Sequence, residues 1–317
     1  MRLGGARVPP TERGGPACAD RVANREVSHS GAARCCRPDP AEPTERRIAS
    51  PLVQLQGSTV LLTGATGGIG RAIAHALDAR GARMLLSGTR VDVLDRLSGS
   101  LGGPAEALPA DLTDAGEARE LAERAGWVDV LVANAGLPAS GPLDDFTAEE
   151  LDRALDVNLR APIQLTRALL PQMVERGRGH LVFVSSLAGK VASVGSSVYS
   201  ATKFGLRGFA AGLREDLHGS GVGVTVVFPG FIGDAGMFAD AGVALPSWVG
   251  TRTPGHVAEA VVRAIEHGPA ELDVAPPALR AGALLAAVAP VTSARLQRRL
   301  GSARLSAAIA EGQRPKR

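Results

Sequence analysis

The sequence contains few residues that can offer a phenol or an amine. Its 317 residues include one tyrosine, Tyr199, and three lysines, Lys190, Lys203 and Lys316, while arginine supplies nearly all of the positive charge. Aromatic residues make up only 3% of the chain. The single tyrosine stands four positions before a rare lysine. We therefore infer that the protein needs a phenol at position 199 and an amine at position 203.

The sequence also lacks two features that mark secreted and membrane proteins. All three cysteines lie in the first 36 residues, so disulfides cannot hold the rest of the chain together, and no set of ligands at zinc spacing accompanies Cys35 and Cys36. No stretch reaches the roughly 18 consecutive apolar residues of a membrane-spanning helix. We therefore expect a cytoplasmic protein with no metal site.

Composition divides the chain into three parts. Residues 1–54 are rich in Arg, Pro, Gly and Ala without a periodic apolar pattern, which predicts a disordered N-terminal extension or a translated segment upstream of the native start. Residues 55–276 are predicted to form the one folded domain. Residues 277–317 are predicted to form a helical C-terminal tail, which is basic because it has eight arginines and lysines against one acid, Glu311.

Within the domain, apolar runs alternate with amphipathic segments. The runs predict strands at 58–63, 82–87, 105–109, 128–133, 180–185, 222–228 and 270–275. The amphipathic segments predict helices at about 68–80, 90–100, 114–125, 147–177 with a break near Pro162, 197–219 and 255–267. This alternation predicts an α/β fold, a Rossmann-like doubly wound seven-stranded parallel sheet, which binds ligands at the carboxyl ends of its strands.

Tyr199 and Lys203 are four residues apart in a predicted helix, so both side chains lie on one face. A cation beside a phenol stabilises the phenolate and lowers the pKa of the phenol, which suits a general acid or base near neutral pH. A Tyr–Lys pair at this spacing also occurs on the exposed surface of helices. The neighbouring motifs decide between the two interpretations.

A glycine-rich turn follows the first predicted strand. Residues 63–70 read Thr-Gly-Ala-Thr-Gly-Gly-Ile-Gly and open the first predicted helix. Glycines let the backbone approach a diphosphate, and the helix N-terminus supplies free N–H groups with a partial positive charge. The alternative is a flexible turn without a ligand.

Six motifs in order carry a resemblance to one family. They are Thr-Gly-x-x-x-Gly-x-Gly at 63–70, Asn134-Ala135-Gly136, Asn158, Ser186, which lies thirteen residues before the tyrosine, Tyr199-x-x-x-Lys203, and Pro229-Gly230. Over roughly residues 55–275 the chain resembles a short-chain dehydrogenase/reductase. The resemblance implies an enzyme that transfers hydride between NAD(P) and a small carbonyl or alcohol substrate, and a homo-oligomer, either a dimer or a tetramer.

The resemblance also implies a role for each matching residue. Tyr199 would be the general acid/base, Lys203 would hold the nicotinamide ribose, Ser186 would bind the substrate oxygen, and Asn158 would support a water that relays protons. Ser185 is the alternative to Ser186. The implied cofactor-binding residues are Thr63, Gly64, Thr66, Gly68, Ile69, Gly70, Thr89, Arg90, Asp111, Leu112, Asn134, Ala135, Gly136, Tyr199, Lys203, Pro229, Gly230 and Ile232.

The choice of cofactor is predicted from the end of the second strand. An acidic residue at this place binds the ribose 2′-OH of NAD, whereas this chain has Thr89 followed by Arg90. A guanidinium can grip a 2′-phosphate, so NADP is favoured and NAD is the alternative. Arg90 is expected to be the main contact to the 2′-phosphate, because Gly67 stands where many NADP-dependent relatives carry a second basic residue.

The resemblance places Asp111 at the adenine ring of the cofactor. The alternative is that Asp111 caps a helix.

The segment from Phe231 to Pro254 lies where the family places its substrate lid. It contains several apolar side chains, so an apolar substrate is favoured, and the alternative is that these side chains only pack the lid shut. Gly233-Asp234 stands in place of the family's usual threonine after Pro-Gly-x-x.

The basic tail has two interpretations. Its uncharged run, 281–294, is too short to cross a bilayer but suits peripheral contact with an anionic membrane. A helix packed on the domain or at a subunit contact, followed by a solvated basic end, is favoured instead. Nucleic-acid binding is not expected, because the tail has no Phe, Trp or Tyr on which a base could stack.

Two other functions remain open. Ser200-Ala201-Thr202-Lys203 matches the Ser-x-x-Lys motif of some serine hydrolases, although the partner motifs of that class are absent. The second alternative is a cofactor-binding regulatory protein without turnover, which would have no chemical need for the full set of Asn158, Ser186, Tyr199 and Lys203.

Removal of residues 1–50 should leave a folded protein that binds its cofactor. These residues show no apolar periodicity and the first predicted strand begins at residue 58, so the core should lose nothing. Thermal unfolding and cofactor titration of the full and shortened chains test this. Aggregation of the shortened chain, or loss of cofactor binding, would contradict it.

Overall fold

The structure is a computed structural model that describes residues 53–243, 245 and 249–317. The predicted N-terminal extension therefore lies outside the described residues, apart from its last two positions. Trp248, one of the apolar residues of the predicted lid, also lies outside them.

The described chain folds around one parallel sheet. Its strands are β1 (Thr59–Leu62), β2 (Arg83–Leu86), β3 (Ala105–Ala107), β4 (Val130–Ala133), β5 (Gly179–Val184), β6 (Val222–Pro229) and β7 (Glu271–Val274). They lie in the order β3-β2-β1-β4-β5-β6-β7, and each neighbouring pair is parallel. The predicted Rossmann-like, seven-stranded sheet is confirmed. Its strand order reverses between β1 and β4, where such sheets bind ligands.

Helices cover both faces of the sheet. They are α1 (Gly68–Asp78), α2 (Val91–Ser100), α3 (Ala115–Ala125), α4 (Ala148–Leu155), α5 (Ala161–Glu175), α6 (Ser197–Asp216), α7 (Met237–Asp240) and α8 (Pro254–His267). Side chains alternate across each strand, so Leu62 packs with α1, α2 and α8 in one core, whereas Leu61 packs with α3, α5 and α6 in the other. Both cores are apolar, which explains why the central strands β1, β4, β5 and β6 carry no acidic, lysine or arginine residue.

The long helix predicted over 147–177 is interrupted before the expected position. A π-helical turn, Asp156–Arg160, separates α4 from α5. Pro162 directly follows this turn, and its ring cannot donate to the carbonyl of Asn158 four residues earlier, so the regular α-helical pattern is interrupted there. Such turns occur frequently at functional sites, and this one carries Asn158.

The C-terminal tail contains three helices, α9 (Pro277–Val288), α10 (Pro290–Arg299) and α11 (Ser302–Gln313). Only Ala283 of α9 is buried, and Leu284 and Val288 are 68% and 80% exposed. The expectation of a solvated basic end is wrong for Arg317, which is 8% exposed because its guanidinium packs on the ring of Phe146. Within the described residues, no helix is both long enough and apolar enough to span a membrane.

His180, the second residue of β5, is a fully buried titratable group. Its Nε2 lies 3.0 Å from Thr225 Oγ1, which itself donates to Pro269 O. The imidazole therefore donates from Nε2, and its unprotonated Nδ1 has no hydrogen-bond partner in the described part of the chain. Burial, together with the nearby Arg214, lowers the pKa of His180 to about 3.

Folding should become less favourable in acid because of this histidine. Between the ordinary value of 6.5 and the folded value of about 3, the unfolded chain binds a proton that the folded protein does not. The free energy of unfolding should then fall by up to about 1.4 kcal/mol per pH unit as the pH drops through this range. Urea unfolding at pH 7 and pH 5 measures the dependence.

His180→Gln keeps an N–H donor but cannot titrate, so this variant should flatten the dependence. His218→Gln is the matched control, because His218 is exposed. The same loss of stability in the parent and in both variants would show that His180 does not cause it.

Candidate active site

Side-chain hydrogen bonds join the glycine-rich turn to the end of β4. Thr63 Oγ1 accepts from the backbone N–H groups of Asn134 and Ala135, both at 3.1 Å. Asn134 Nδ2 donates to Thr63 O at 3.1 Å and to Gly64 O at 3.2 Å. The structure thus brings two of the predicted motifs together at the carboxyl edge of the sheet.

The glycines of the turn stand where side chains have no room. Gly64 has a φ of +64°, and a Cβ there would lie 2.7 Å from Ala135 Cα. A Cβ at Gly70 would lie 2.1 Å from Gly64 O, and one at Gly68 would lie 2.2 Å from Ala235 Cβ. The turn leads into α1, whose first turn has no acidic residue. Its free N–H groups therefore suit an anion such as a diphosphate.

Helix α6 presents Tyr199 and Lys203 beside the end of β5. Lys203 is 3% exposed, and its Nζ donates to Val184 O at 3.3 Å. The same Nζ lies 5.7 Å from the centroid of the Tyr199 ring. Ser186 lies two residues after β5, and its side chain is near enough to Tyr199 to lower the pKa of the phenol. Three of the four predicted catalytic residues are thus neighbours.

The two adjacent serines point in different directions. Ser185 is buried, and its hydroxyl donates to Lys203 O at 3.2 Å. Ser186 is half-buried, accepts from Ala188 N at 3.2 Å and meets Tyr199. The structure therefore places Ser186, and not Ser185, beside the phenol.

Asn158, the fourth predicted catalytic residue, is fully buried in the π-helical turn. Its Oδ1 accepts from Leu137 N at 2.7 Å, and its Nδ2 donates to Leu137 O at 2.9 Å and to Thr202 Oγ1 at 3.4 Å. A Cβ at Gly136 would lie 3.2 Å from Asn158 Oδ1 and 3.7 Å from Lys203 Nζ. Asn158 therefore fastens the loop after β4 to α6, next to the lysine.

Burial controls the protonation of the tyrosine and the lysine. Burial raises the pKa of Tyr199 to about 12, and its hydrogen bond with Ser186 acts in the opposite direction. Burial lowers the pKa of Lys203 to about 8. The expectation of a lowered phenol pKa is wrong, because desolvation of the buried ring is the largest effect and disfavours the phenolate. At neutral pH the phenol is protonated and the lysine is mainly cationic.

The residues predicted to hold the adenosine lie after β2 and β3. Arg90 Nη2 donates to Thr66 O at 2.7 Å, and Thr89 is exposed. Asp111 is exposed and its Oδ1 accepts from the N–H and the hydroxyl of Thr113, at 3.0 and 2.8 Å. The following Leu112 is buried.

The cap of α3 is Asp114, whose side chain accepts from Gly116 N. Asp111 therefore supports the turn ahead of this helix but does not cap it. The helix cap, which was the alternative role for Asp111, is Asp114.

A cleft of about 300 Å³ opens beside Arg90, and the sequence analysis missed several of its residues. Its polar lining includes three guanidinium groups and an imidazole, from Arg71, Arg90, Arg96 and His75. Arg71 directly follows the last glycine of the turn, so its position in the motif was the available signal. Arg96 pairs with Asp92 at 2.6 Å, whereas Arg71 and Arg90 form no ion pair within the described residues.

The predicted lid begins where β6 ends. Gly230 N, directly after Pro229, donates to Val274 O at 3.0 Å, and the buried Ile232 forms a parallel bridge with Arg252. These contacts place the start of the lid at the same sheet edge as the predicted catalytic residues.

The apolar side chains of the lid contact one another and the site. The rings of Phe231 and Phe238 lie 4.8 Å apart between centroids. Met237 reaches the floor of the site, where its Cε would lie 3.2 Å from a Cβ at Gly136. The lid therefore covers the edge of the sheet on which the motifs meet.

The geometry does not support a serine hydrolase. Ser200 Oγ is buried and lies 3.0 Å from Ser196 Oγ, while Lys203 Nζ donates to Val184 O. Within the described residues, the serine and the lysine of the Ser-x-x-Lys motif form no hydrogen bond with each other, so no activated nucleophile is present.

The fold and the site together indicate a class of protein. A doubly wound parallel sheet with a glycine-rich turn at its reversal point is typical of proteins that bind dinucleotides. The buried Tyr–Lys pair at the same edge adds a group that can transfer protons.

Comparison with known proteins narrows this class to one family. The model of the short chain dehydrogenases matches residues 58–243. The ketoacyl reductase HetN of Nostoc sp. is 38% identical over 230 residues, which cover 70% of this chain and 80% of that protein. This chain belongs to the short-chain dehydrogenase/reductase family, a family of oxidoreductases.

Solved structures agree with this assignment. A metagenomic short-chain oxidoreductase in complex with NADP is 33% identical, with a TM-score of 0.61, and the match covers 71% of this chain and 99% of that one. A short-chain dehydrogenase from Sphingobium yanoikuyae in complex with NADPH is 29% identical, with a TM-score of 0.64. The match covers 74% of this chain and 95% of that one.

Proposed function

We propose that this protein is an NADP-preferring oxidoreductase that interconverts a ketone or aldehyde and an alcohol, with Tyr199 as its general acid/base. One observation carries the proposal: four polar residues from three separate segments form a chain of neighbours, in which Asn158 and Lys203 lie beside Gly136, Lys203 lies over the ring of Tyr199, and Ser186 lies near Tyr199. A dinucleotide-binding fold without turnover would have no chemical use for this set.

NADP fits the residues present; its reduced form, NADPH, would supply the hydride for carbonyl reduction, and NADP would accept the hydride in alcohol oxidation. The glycine positions at 64, 68 and 70 leave the backbone of the turn free of side chains, so a diphosphate can approach it. The cleft lined by Arg71 and Arg90 offers positive charge for a 2′-phosphate. The relatives that are solved with NADP and NADPH support the same choice.

Tyr199 holds the transferable proton at its Oη. With a pKa raised to about 12, the phenol is protonated at neutral pH and can donate to the carbonyl oxygen of the substrate. Ser186 donates a second hydrogen bond to the same oxygen and stabilises the charge that develops there. In the reverse direction, the phenolate would accept the alcohol proton, which requires a higher pH.

Lys203 supplies positive charge beneath the phenol and can bind the ribose hydroxyls. Its Nζ contacts Val184 O at 3.3 Å, so an ammonium group retains further donors for a ligand. Asn158 fixes the loop through Leu137 and thereby holds Gly136 against the lysine. The Phe231–Phe238 pair and Met237 give the substrate side an apolar surface, which favours an apolar substrate.

Tyr199→Phe should lower kcat by about 10²- to 10⁴-fold, the range for loss of a general acid, and leave the Kd for NADPH within about twofold. The change removes one oxygen and little volume. Steady-state reduction of a panel of ketones and aldehydes, followed by NADPH absorbance, measures kcat, and fluorescence titration measures Kd. Activity within about tenfold of the parent would rule out Tyr199 as the acid.

The two serines provide a matched pair of controls for the same assay. Ser186→Ala removes a hydroxyl that meets Tyr199, so kcat should fall by about 10²-fold, as for loss of one oxyanion donor. Ser185→Ala removes a buried hydroxyl that bonds to Lys203 O, so it should reduce stability more than kcat. The opposite ranking of the two kcat values would reassign the substrate contact to Ser185.

Arg90→Ala should weaken NADPH about ten- to a hundredfold and leave NADH almost unchanged, because a charge-assisted contact to the 2′-phosphate is worth about 1.5–3 kcal/mol. Thr89→Asp combined with Arg90→Ala should reverse the preference, since a carboxylate repels the phosphate and accepts the ribose hydroxyls. Arg71→Ala should act in the same direction as Arg90→Ala.

Arg80→Ala is the control for these variants. Arg80 lies just after α1, pairs with Glu266 and does not line the cleft. Fluorescence titration with NADPH and NADH gives all of the Kd values. Equal weakening of both cofactors by Arg90→Ala would contradict a phosphate contact, and a parent protein that prefers NADH would contradict the cofactor assignment.

A further inference from the structure

The last described residues pack on the lid. Gln313 is buried, and its Nε2 donates to Met237 O at 3.1 Å. Lys316 Nζ forms an ion pair with Asp240 at 2.7 Å. A Cβ at Gly312 would lie 2.4 Å from Ala241 O, so the end of α11 approaches the lid backbone closely. These contacts fix α7 from its outer side.

The same segment also packs on the loop between β4 and α4. The guanidinium of Arg317 donates to Ser140 O and lies 4.4 Å from the centroid of the Phe146 ring. Arg153 Nη1, on α4, donates to Arg317 O at 3.1 Å. Arg317 is therefore held on three sides, which explains why a charged side chain is 8% exposed.

Both anchoring surfaces lie close to the proposed catalytic residues. On the lid, Met237 reaches Gly136 and thereby the surroundings of Lys203. On the loop, Phe146 packs in the small apolar cluster that includes Tyr199. Residues 313–317 thus connect the lid to the loop between β4 and α4.

We propose that residues 313–317 form the outer wall of the substrate site, with Arg317 as the positioning residue that holds the loop and the lid together. The wall limits the length of the apolar carbonyl substrate that can enter. Loss of the wall lengthens the site, which favours long substrates and removes apolar contacts from short ones. This inference rests on the proposed reductase function.

Arg317→Ala tests the wall by substrate selectivity. The ratio of kcat/KM for a long-chain methyl ketone to that for a short one should rise at least about tenfold, equivalent to the loss of one charge-assisted contact. The Kd for NADPH should stay within about twofold of the parent. Arg314→Ala is the matched control, since Arg314 is exposed in the same turn and its side chain has no hydrogen bond or ion pair within the described residues.

Conservative variants separate positioning from general destabilisation. Arg317→Lys keeps the cation over Phe146 and should restore part of the parental ratio. Lys316→Ala breaks only the exposed pair with Asp240 and should change the ratio less. An equal loss of kcat/KM on long and short ketones in Arg317→Ala would overturn the inference, because it would indicate a purely structural role.

Hydrogen exchange provides a readout that needs no turnover. In Arg317→Ala, backbone amides of residues 136–146 and 231–243 should exchange faster than in the parent and in Arg314→Ala. Unchanged exchange in both segments overturns the inference whatever the activity assay gives. A parent protein that binds NADPH but reduces no carbonyl and oxidises no alcohol is a different result, which would contradict the proposed function.

Discussion

The hydrogen bonds between Thr63 and Asn134 are the interaction on which the rest of the site depends. Thr63 and Asn134, 71 positions apart in sequence, form two of these bonds with each other, and two further bonds extend to Ala135 and Gly64. They satisfy backbone groups that the strands leave unpaired where the sheet ends. Because β1 and β4 are neighbours at the reversal of strand order, this contact fixes the turn against the loop that carries Gly136.

From that contact, packing extends to the catalytic residues. Gly136 leaves space that Asn158 Oδ1 and Lys203 Nζ approach closely, and Asn158 bonds to both polar groups of the Leu137 backbone. A side chain at this glycine would crowd Asn158 and Met237. The π-helical turn makes the close approach of Asn158 possible, because an extra residue in the helix turns Asn158 inward.

Burial then determines what these groups can do. Lys203 is a nearly enclosed cation, and the cost of its desolvation appears as a pKa lowered to about 8. The phenol of Tyr199 responds in the opposite sense, with a pKa raised to about 12, because the anion is its charged form. The site as described therefore favours proton donation. A bound dinucleotide changes both environments, since it adds charge and excludes water.

The sequence by itself determined the fold and which residues form the motifs. Apolar runs and amphipathic segments show the period of each element directly, and the glycines at 64 and 70 stand where backbone atoms approach too closely for a side chain. Only the tertiary structure decided the choice between Ser185 and Ser186, the direction of the Tyr199 pKa, the place of Arg71 in the cleft and the burial of Arg317. Each of these depends on desolvation or on partners that are distant in sequence, such as Phe146 beneath Arg317, and neither spacing nor composition records such contacts.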